Sequence, residues 1–513
     1  MTFFSRFYTF LDKKESLLIG VLIVVYLLPI WLFPYFPTQD GVSHVYNSQI
    51  LTEYNNSEYQ FRDYYEINWY PFPNWLSHFS LAVLMFVFPP LIAEKIFLSL
   101  YVILFPLAIR YFLDAVQRRR HPLVILSFTF IYNYLFLMGF YNFAVSVPLF
   151  FLALGYWWKH KDEMSRTGII LLNLLVIITY FAHLISYAFI LFSIALLALF
   201  HFRRNLKQIL ITGCYLLPAA VLILVYLPTS DLLAGEPPEF GIGRIGELFN
   251  NLIGMHVLVA YADPPDWIST SVSVLLFFFA AGTIWQNKKD PEKSSLGQRA
   301  FLCLAGVLFG LYFILPNAIG PGGWVNDRLA ILAVLTLFAW FRIPDLLSWR
   351  RVFTVIVVLL ALLNILYVGV LFRNLNAEIR EFNAFVERVG NNKVILPLHF
   401  DPRGSSKRVG IFVNAANYYC LDNGCINLGN YEIQFDYFPI RFNADFETPL
   451  EEKEWVQVVH WQPERIDLCD YADNVDYLLL WDIPDTPIVA DAIEACYTLV
   501  ASEGKLKLFK GKR

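Results

Sequence analysis

Long apolar runs alternate with short polar breaks as far as residue 372, and then the pattern changes. Segment 17–36 is twenty uncharged residues, enough to cross a hydrocarbon layer as a helix rising about 1.5 Å per residue. Further runs near 91–113, 122–141, 142–158, 167–182, 184–200, 209–228, 267–285, 300–316, 328–341 and 352–372 predict eleven spans in all. "NWLSHFSLAVLMFVFPP" (74–90) is shorter and runs closely into the next span, so it predicts a helix lying in the outer interface. Beyond 373 the spacing predicts an amphipathic helix over 374–390 and a helix over 487–497. Strands are predicted at "KVILPL" (393–398), "VGIFV" (409–413), "VDYLLLWD" (475–482) and "GKLKLFKG" (504–511). The predicted fold class is a polytopic α-helical membrane protein over 1–373, with outer loops at 37–90 and 229–266. An α/β domain of domain size follows over 374–513.

Composition agrees: 57% of residues are hydrophobic and 16% charged, where a soluble chain carries about a quarter charged. The net charge of −4 gives no reason to expect a nucleic-acid partner. Lys and Arg set the orientation. They gather at Lys13 and Lys14, "RRRH" (118–121), "KHKDEMSR" (159–166), "RRNLK" (203–207), "NKKDPEK" (287–293) and "WRR" (349–351), while the loops between hold few. By the positive-inside rule this places the N-terminus in the cytoplasm and 374–513 outside. No small-residue cleavage site follows 17–36, so it reads as a retained signal anchor. Basic clusters flank 168–200 at both ends, which predicts a hairpin turning at "FAHL" (181–184) and puts His183 at the outer face.

Six cysteines divide by compartment. Cys214 and Cys303 lie in predicted spans and are read as buried apolar residues. Cys420, Cys425, Cys469 and Cys496 lie in the outer domain, where an even number implies disulfides rather than zinc, since no C-x-x-C pair occurs. Cys420 and Cys425 flank "LDNG", a turn sequence that brings two chain ends together. The pairing itself is not readable from spacing.

Several polar residues fall at one predicted depth, the outer surface. These are Asp40, His44 and Asn47 after the first span, Asn142 in "GFYNF", His183, and Asn326, Asp327 and Arg328 in "NDR". Each has an ordinary reading: Asp40 and Asn142 as helix caps, His183 facing interfacial water, Arg328 snorkelling to headgroups. Together they weigh more, because ionisable groups at membrane depth are costly and mark functional sites. A carboxylate suits removal of a proton from an acceptor hydroxyl, and the i, i+4 spacing puts His44 on the face of Asp40 if the loop is helical.

The arrangement resembles the GT-C superfamily of membrane glycosyltransferases, which includes protein O-mannosyltransferases, aminoarabinose transferases and the oligosaccharyltransferase catalytic subunit. The likeness covers a first span, a long first outer loop opening on the acid of "PTQDGVSH", an interfacial helix, many spans and an outer C-terminal domain. The resemblance implies an inverting transfer from a polyprenyl-phosphate-linked sugar to a lipid, glycan or protein hydroxyl at the outer face of a bacterial inner membrane. On that reading Asp40 and His44 are catalytic, and His183 and Arg328 bind the donor phosphate. Asn47, Tyr70, Asn142, Asn326 and Asp327 bind substrate, and Tyr70 belongs to an aromatic set with Tyr64, Tyr65, Trp69 and Trp75 that otherwise forms an interfacial belt. The outer domain is expected to support or cap the site. A metal-free reaction is expected, because Asn142 stands where many relatives have a second acid. The alternative is Mg²⁺ or Mn²⁺ on Asp40 and His44 with Asp63 or Glu66. Two other function classes remain. A transporter or flippase would need charged or broken helices near the bilayer midplane and internal repeats, and a scaffold would tolerate loss of Asp40.

Overall fold

The computed structural model describes residues 15–117, 122–227, 240–320, 322–343, 347–443, 463, 468–484, 493 and 495–512. The chain is mostly helical. Seven of its helices are long and apolar enough to cross a membrane: α1 (Glu15–Leu32), α4 (Pro90–Gln117), α7 (Leu184–Phe202), Leu206–Tyr226, α9 (Trp267–Lys289), α10 (Leu296–Ile314) and Arg350–Val389. The last contains α12 (Leu347–Phe382), and Leu206–Tyr226 contains α8 (Leu206–Ala220). Their outer faces carry exposed Val24, Leu32, Leu224, Phe277 and Leu366. Bare apolar faces of this extent suit hydrocarbon as solvent.

The expected eleven runs are built in different ways. Two further runs are helices: α5 (Tyr141–His160) and α6 (Arg166–Ala182), the latter started by Ser165, which accepts from the Gly168 N–H at 3.1 Å. The run at 122–141 is not one helix. It breaks into Leu123–Leu126, a tight turn over Ser127–Phe130 and Tyr134–Leu137. The cause is Asn133, whose extended backbone and side chain (accepting from Phe136 N–H, 3.0 Å) start a new helix in mid-run. The run at 328–341 shortens to α11 (Val325–Leu337), 13 residues buried among the others. At about 1.5 Å per residue that spans about two thirds of a hydrocarbon layer. α12 runs through residue 373, where the outer domain is expected to begin, and ends at Phe382.

The first outer loop holds α2 (Gly41–Glu53), β1 (Tyr65–Ile67) and α3 (Trp75–Met85), the last matching the predicted interfacial helix. In the C-terminal region β2 (Val394–His399), β3 (Ile426–Asn427), β5 (Tyr477–Trp481), β6 (Tyr497–Glu503) and β7 (Leu506–Gly511) form one sheet, in the order β3-β2-β5-β7-β6. β2 runs parallel to both neighbours, and the β5–β7 and β7–β6 pairs are antiparallel. β6 was not expected, and the helix expected at 487–497 falls mostly outside the described residues. "VGIFV" is a buried turn rather than a strand, with the Gly410 N–H donated to Gln39. β4 (Ile440–Phe442) leaves this sheet to pair antiparallel with β1, so the loop and the C-terminal region interlock.

Cys420 is joined to Cys425 and Cys469 to Cys496, with Cα separations of 4.6 and 5.5 Å. Two disulfides in the C-terminal region fit an extracytoplasmic, oxidising location. Cys214 and Cys303 are exposed on helix surfaces, contrary to the expectation of burial, because among the described residues no other helix covers those faces.

Candidate functional site

A cavity of about 480 Å³ opens where the ends of several helices meet the first outer loop and the C-terminal region. Asp40, His44, Asn142, His183 and Arg328 all border it. Five residues up to 288 positions apart in sequence (40 to 328) are thus brought to one space.

Asp40 stands at the start of α2 without capping it. Its N–H bonds the Met138 carbonyl at 3.0 Å, and the chain at Gly139 passes so close that a Cβ there would lie 2.6 Å from the Asp40 nitrogen. Gly139 also holds φ at +90°, so glycine is required twice over. The Asp40 carboxylate accepts from Asn414 Nδ2 at 2.9 Å and Gln39 Nε2 at 3.3 Å. Burial pushes the Asp40 carboxyl up to about 7, against the Gln39 hydrogen bond and with help from the Glu432 charge.

His44, one turn on, points Nδ1 toward Glu432 Oε1 at 2.9 Å and His78 Nε2 at 3.1 Å. His78 Nε2 lies 2.7 Å from Glu432 Oε2, which also accepts from Asn47 Nδ2 at 2.8 Å. Burial alone would raise the Glu432 carboxyl, but His78 and His44 bring it down to about 2. His183 starts α7, its Nδ1 accepting from the Ile185 N–H at 3.2 Å, and its ring packs edge-on against Phe143. Burial first, and then the Arg328 charge, hold His183 well below the usual histidine value, so it is neutral. Arg328 donates from Nη1 to the Gly323 carbonyl at 2.6 Å and lies over Phe140 and Phe143, with Nε buried and unpartnered. Arg403 and Arg408 add two more guanidinium groups to the same cavity.

Asn142 and the remaining predicted site residues are engaged in other ways. Asn47 exchanges hydrogen bonds with Asn430 and braces Glu432 from behind. Asn142 borders the cavity but spends its amide on the Ser77 N–H and the Asn74 carbonyl, both at 2.8 Å. Asn326 donates to the Tyr312 and Leu315 carbonyls, tying α11 to the end of α10, and neither it nor Asp327 borders the cavity. Tyr70 lines a separate apolar groove of about 380 Å³ with Trp69, Trp75, Phe79 and Phe181. Neighbouring residues of the chain divide between the two, Asn74 and His183 lining the cavity and Trp75 and Phe181 the groove.

The ligand set foreseen for Mg²⁺ or Mn²⁺ does not assemble. Glu66 sits in β1 against Arg441, and among the described residues the one His/Cys/Asp/Glu group with metal-ligand spacing is His44, His78 and Glu432. His78, Glu432, Asn414, Arg403 and Arg408 had no motif to reveal them. The C-terminal region supplies part of the cavity wall, through Arg403, Arg408 and Asn414 among others. The chain matches no known protein-family model and no curated protein.

Proposed function

We propose that this chain is a GT-C-like inverting glycosyltransferase that takes a sugar from a polyprenyl-phosphate donor. Its acceptor is a lipid, glycan or protein hydroxyl. The observation that carries this reading is a single carboxyl, Asp40, sharing one cavity with the guanidinium groups of Arg328, Arg403 and Arg408. A phosphate-linked donor and a hydroxyl acceptor need both kinds of group in one space. The separate apolar groove of Trp69, Trp75, Phe79 and Phe181 suits a prenyl chain. A cytoplasmic N-terminus and an outward cavity in a bacterial inner membrane complete the reading.

In the proposed step, Asp40 takes the proton of the acceptor hydroxyl as its oxygen attacks the anomeric carbon. The bond from that carbon to the phosphate oxygen breaks, and the phosphate leaves with the electron pair. Arg328 and its neighbours hold the charge that develops, and neutral His183 is a hydrogen-bond donor beside them. A carboxyl near neutrality is well matched to proton removal at physiological pH. His44, with Nδ1 turned to Glu432 and His78, positions α2 rather than sharing the proton.

The test is a radiolabelled transfer assay with purified full-length protein and a panel of polyprenyl-phosphate sugars. Wild type should turn over one donor. Asp40→Asn should bind that donor, fold, and lose about 100- to 10,000-fold in rate. Equal rates would remove Asp40 from the chemistry, and no transfer from any donor would overturn the reading.

A further inference from the structure

The group formed by His44, His78 and Glu432 has more lone pairs facing inward than protons can satisfy. His44 Nδ1 and His78 Nε2 lie 3.1 Å apart, and they lie 2.9 and 2.7 Å from the two Glu432 oxygens. All three side chains are buried, at 3%, 0% and 0% exposure. His78 Nδ1 is 3.2 Å from the Asn74 carbonyl, which can only accept, so Nδ1 carries the ring proton and Nε2 of the neutral ring offers a lone pair. Glu432 Oε2 already accepts from Asn47, while Oε1 is buried with no hydrogen-bond partner despite its nearness to His44. A single shared proton bridges one of the three close contacts and leaves lone pairs opposed at the others. Two ring protons would instead face each other across 3.1 Å.

A cation at the common point resolves every contact. We infer that His44 Nδ1, His78 Nε2 and the Glu432 carboxylate bind a divalent zinc-type metal ion. Two imidazole nitrogens with one carboxylate favour zinc over Mg²⁺ or Ca²⁺, which take oxygen shells. Tetrahedral zinc with bonds of about 2.0–2.1 Å sets neighbouring ligand atoms about 3.3 Å apart, a few tenths wider than they stand here. The surroundings are those that metal-binding histidines use. The Asn74 carbonyl fixes the His78 tautomer, the Gly139 backbone is a hydrogen-bonding partner of the His44 ring, and the Asn47 amide orients Glu432. Three protein ligands leave one position for an oxygen ligand, and His44 borders the cavity. Because His44 and His78 belong to the first outer loop and Glu432 to the C-terminal region, the ion staples the two together.

Metal content of the purified full-length protein decides the matter, measured by plasma mass spectrometry after chelator-free purification from zinc-supplemented cells. Wild type should hold about one zinc per chain, with X-ray absorption showing nitrogen and oxygen ligands near 2.0 Å. Glu432→Gln and His78→Ala should each fall below about a tenth of that, while Asp63→Asn should retain it. If the variants do not fold, wild type alone suffices: chelation should lower its melting temperature and added zinc restore it. Zinc-free wild type that zinc does not stabilise would overturn the inference, as would variants with wild-type zinc content. No substrate enters these measurements. A zinc-bearing chain that transfers no sugar still supports the site, and an active zinc-free chain that zinc does not stabilise overturns it while leaving the transferase reading intact.

Discussion

Asp40 and Glu432 are both buried carboxyls near the same cavity wall, and their environments drive them in opposite directions. Asp40 meets neutral amides and a phenol, so burial dominates and its carboxyl rises to about 7. Glu432 meets two imidazoles, which overcome the same burial and bring it down to about 2. The lesson is that burial alone does not assign a role. The partners decide whether a carboxyl exchanges a proton or holds its charge, and a pair pushed apart in this way separates a reactive acid from a structural one.

Exchanging the two roles is the sharpest way to break the comparison, and the transfer assay with Asp40→Asn carries the largest expected effect. A loss of about 100- to 10,000-fold in a variant that stays folded and binds donor is the signature of a general base. The next effect is on stability. Glu432→Ala leaves two buried imidazoles without their carboxylate and takes one of its two acceptors from the Asn47 amide, which should cost about 3–5 kcal/mol. Thermal unfolding in detergent checks this, and a shift within error of wild type would show that the group is not holding the loop to the C-terminal region.

The same pair has opposite pH signatures. The Asp40 carboxyl is near 3.8 when unfolded and about 7 when folded, so between those values the folded state binds more protons. Its contribution is fully present below about pH 3.8 and is lost as pH rises through 7. Asp40→Asn lacks that slope. The variant's stability advantage over wild type should therefore grow from pH 5 to 7, by at most about 1.4 kcal/mol per pH unit, and stay flat above. The measurement belongs on chelator-treated protein, since a cation on Glu432 would cancel the charge that helps raise Asp40. An advantage independent of pH would mean that Asp40 is ionised throughout.

How much of this was legible follows from what each residue depends on. Asp40, His44, Asn142, His183 and Arg328 border one cavity, and each follows or precedes an apolar run, a position that predicts a shared depth. Hydropathy also located the seven long helices. It failed at 122–141, where one side chain, Asn133, starts a new helix inside an apolar run. Glu432 was invisible for a different reason. It sits in "NYEIQF", with no local period, and reaches His78 across 354 positions of chain. His78 itself reads as one more residue of an interfacial helix until the C-terminal region is folded onto it. Contacts of that range are set by tertiary packing, which no short window of sequence encodes.

A third carboxyl completes the scale. Glu66 pairs with Arg441 at the β1–β4 junction, where their side chains are 39% and 47% exposed. Water solvates both charges when they separate, so the pair gains little beyond what the strand hydrogen bonds already supply. Glu66→Ala should cost about 0.2–1 kcal/mol, and less at high salt, where surface pairs are screened. Thermal unfolding with and without added salt tests this beside Glu432→Ala. Both residues join the first outer loop to the C-terminal region, so they share a topological role and differ in burial and partners. A cost for Glu66→Ala equal to that of Glu432→Ala would mean that the junction, rather than the buried imidazoles, holds the loop against the C-terminal region.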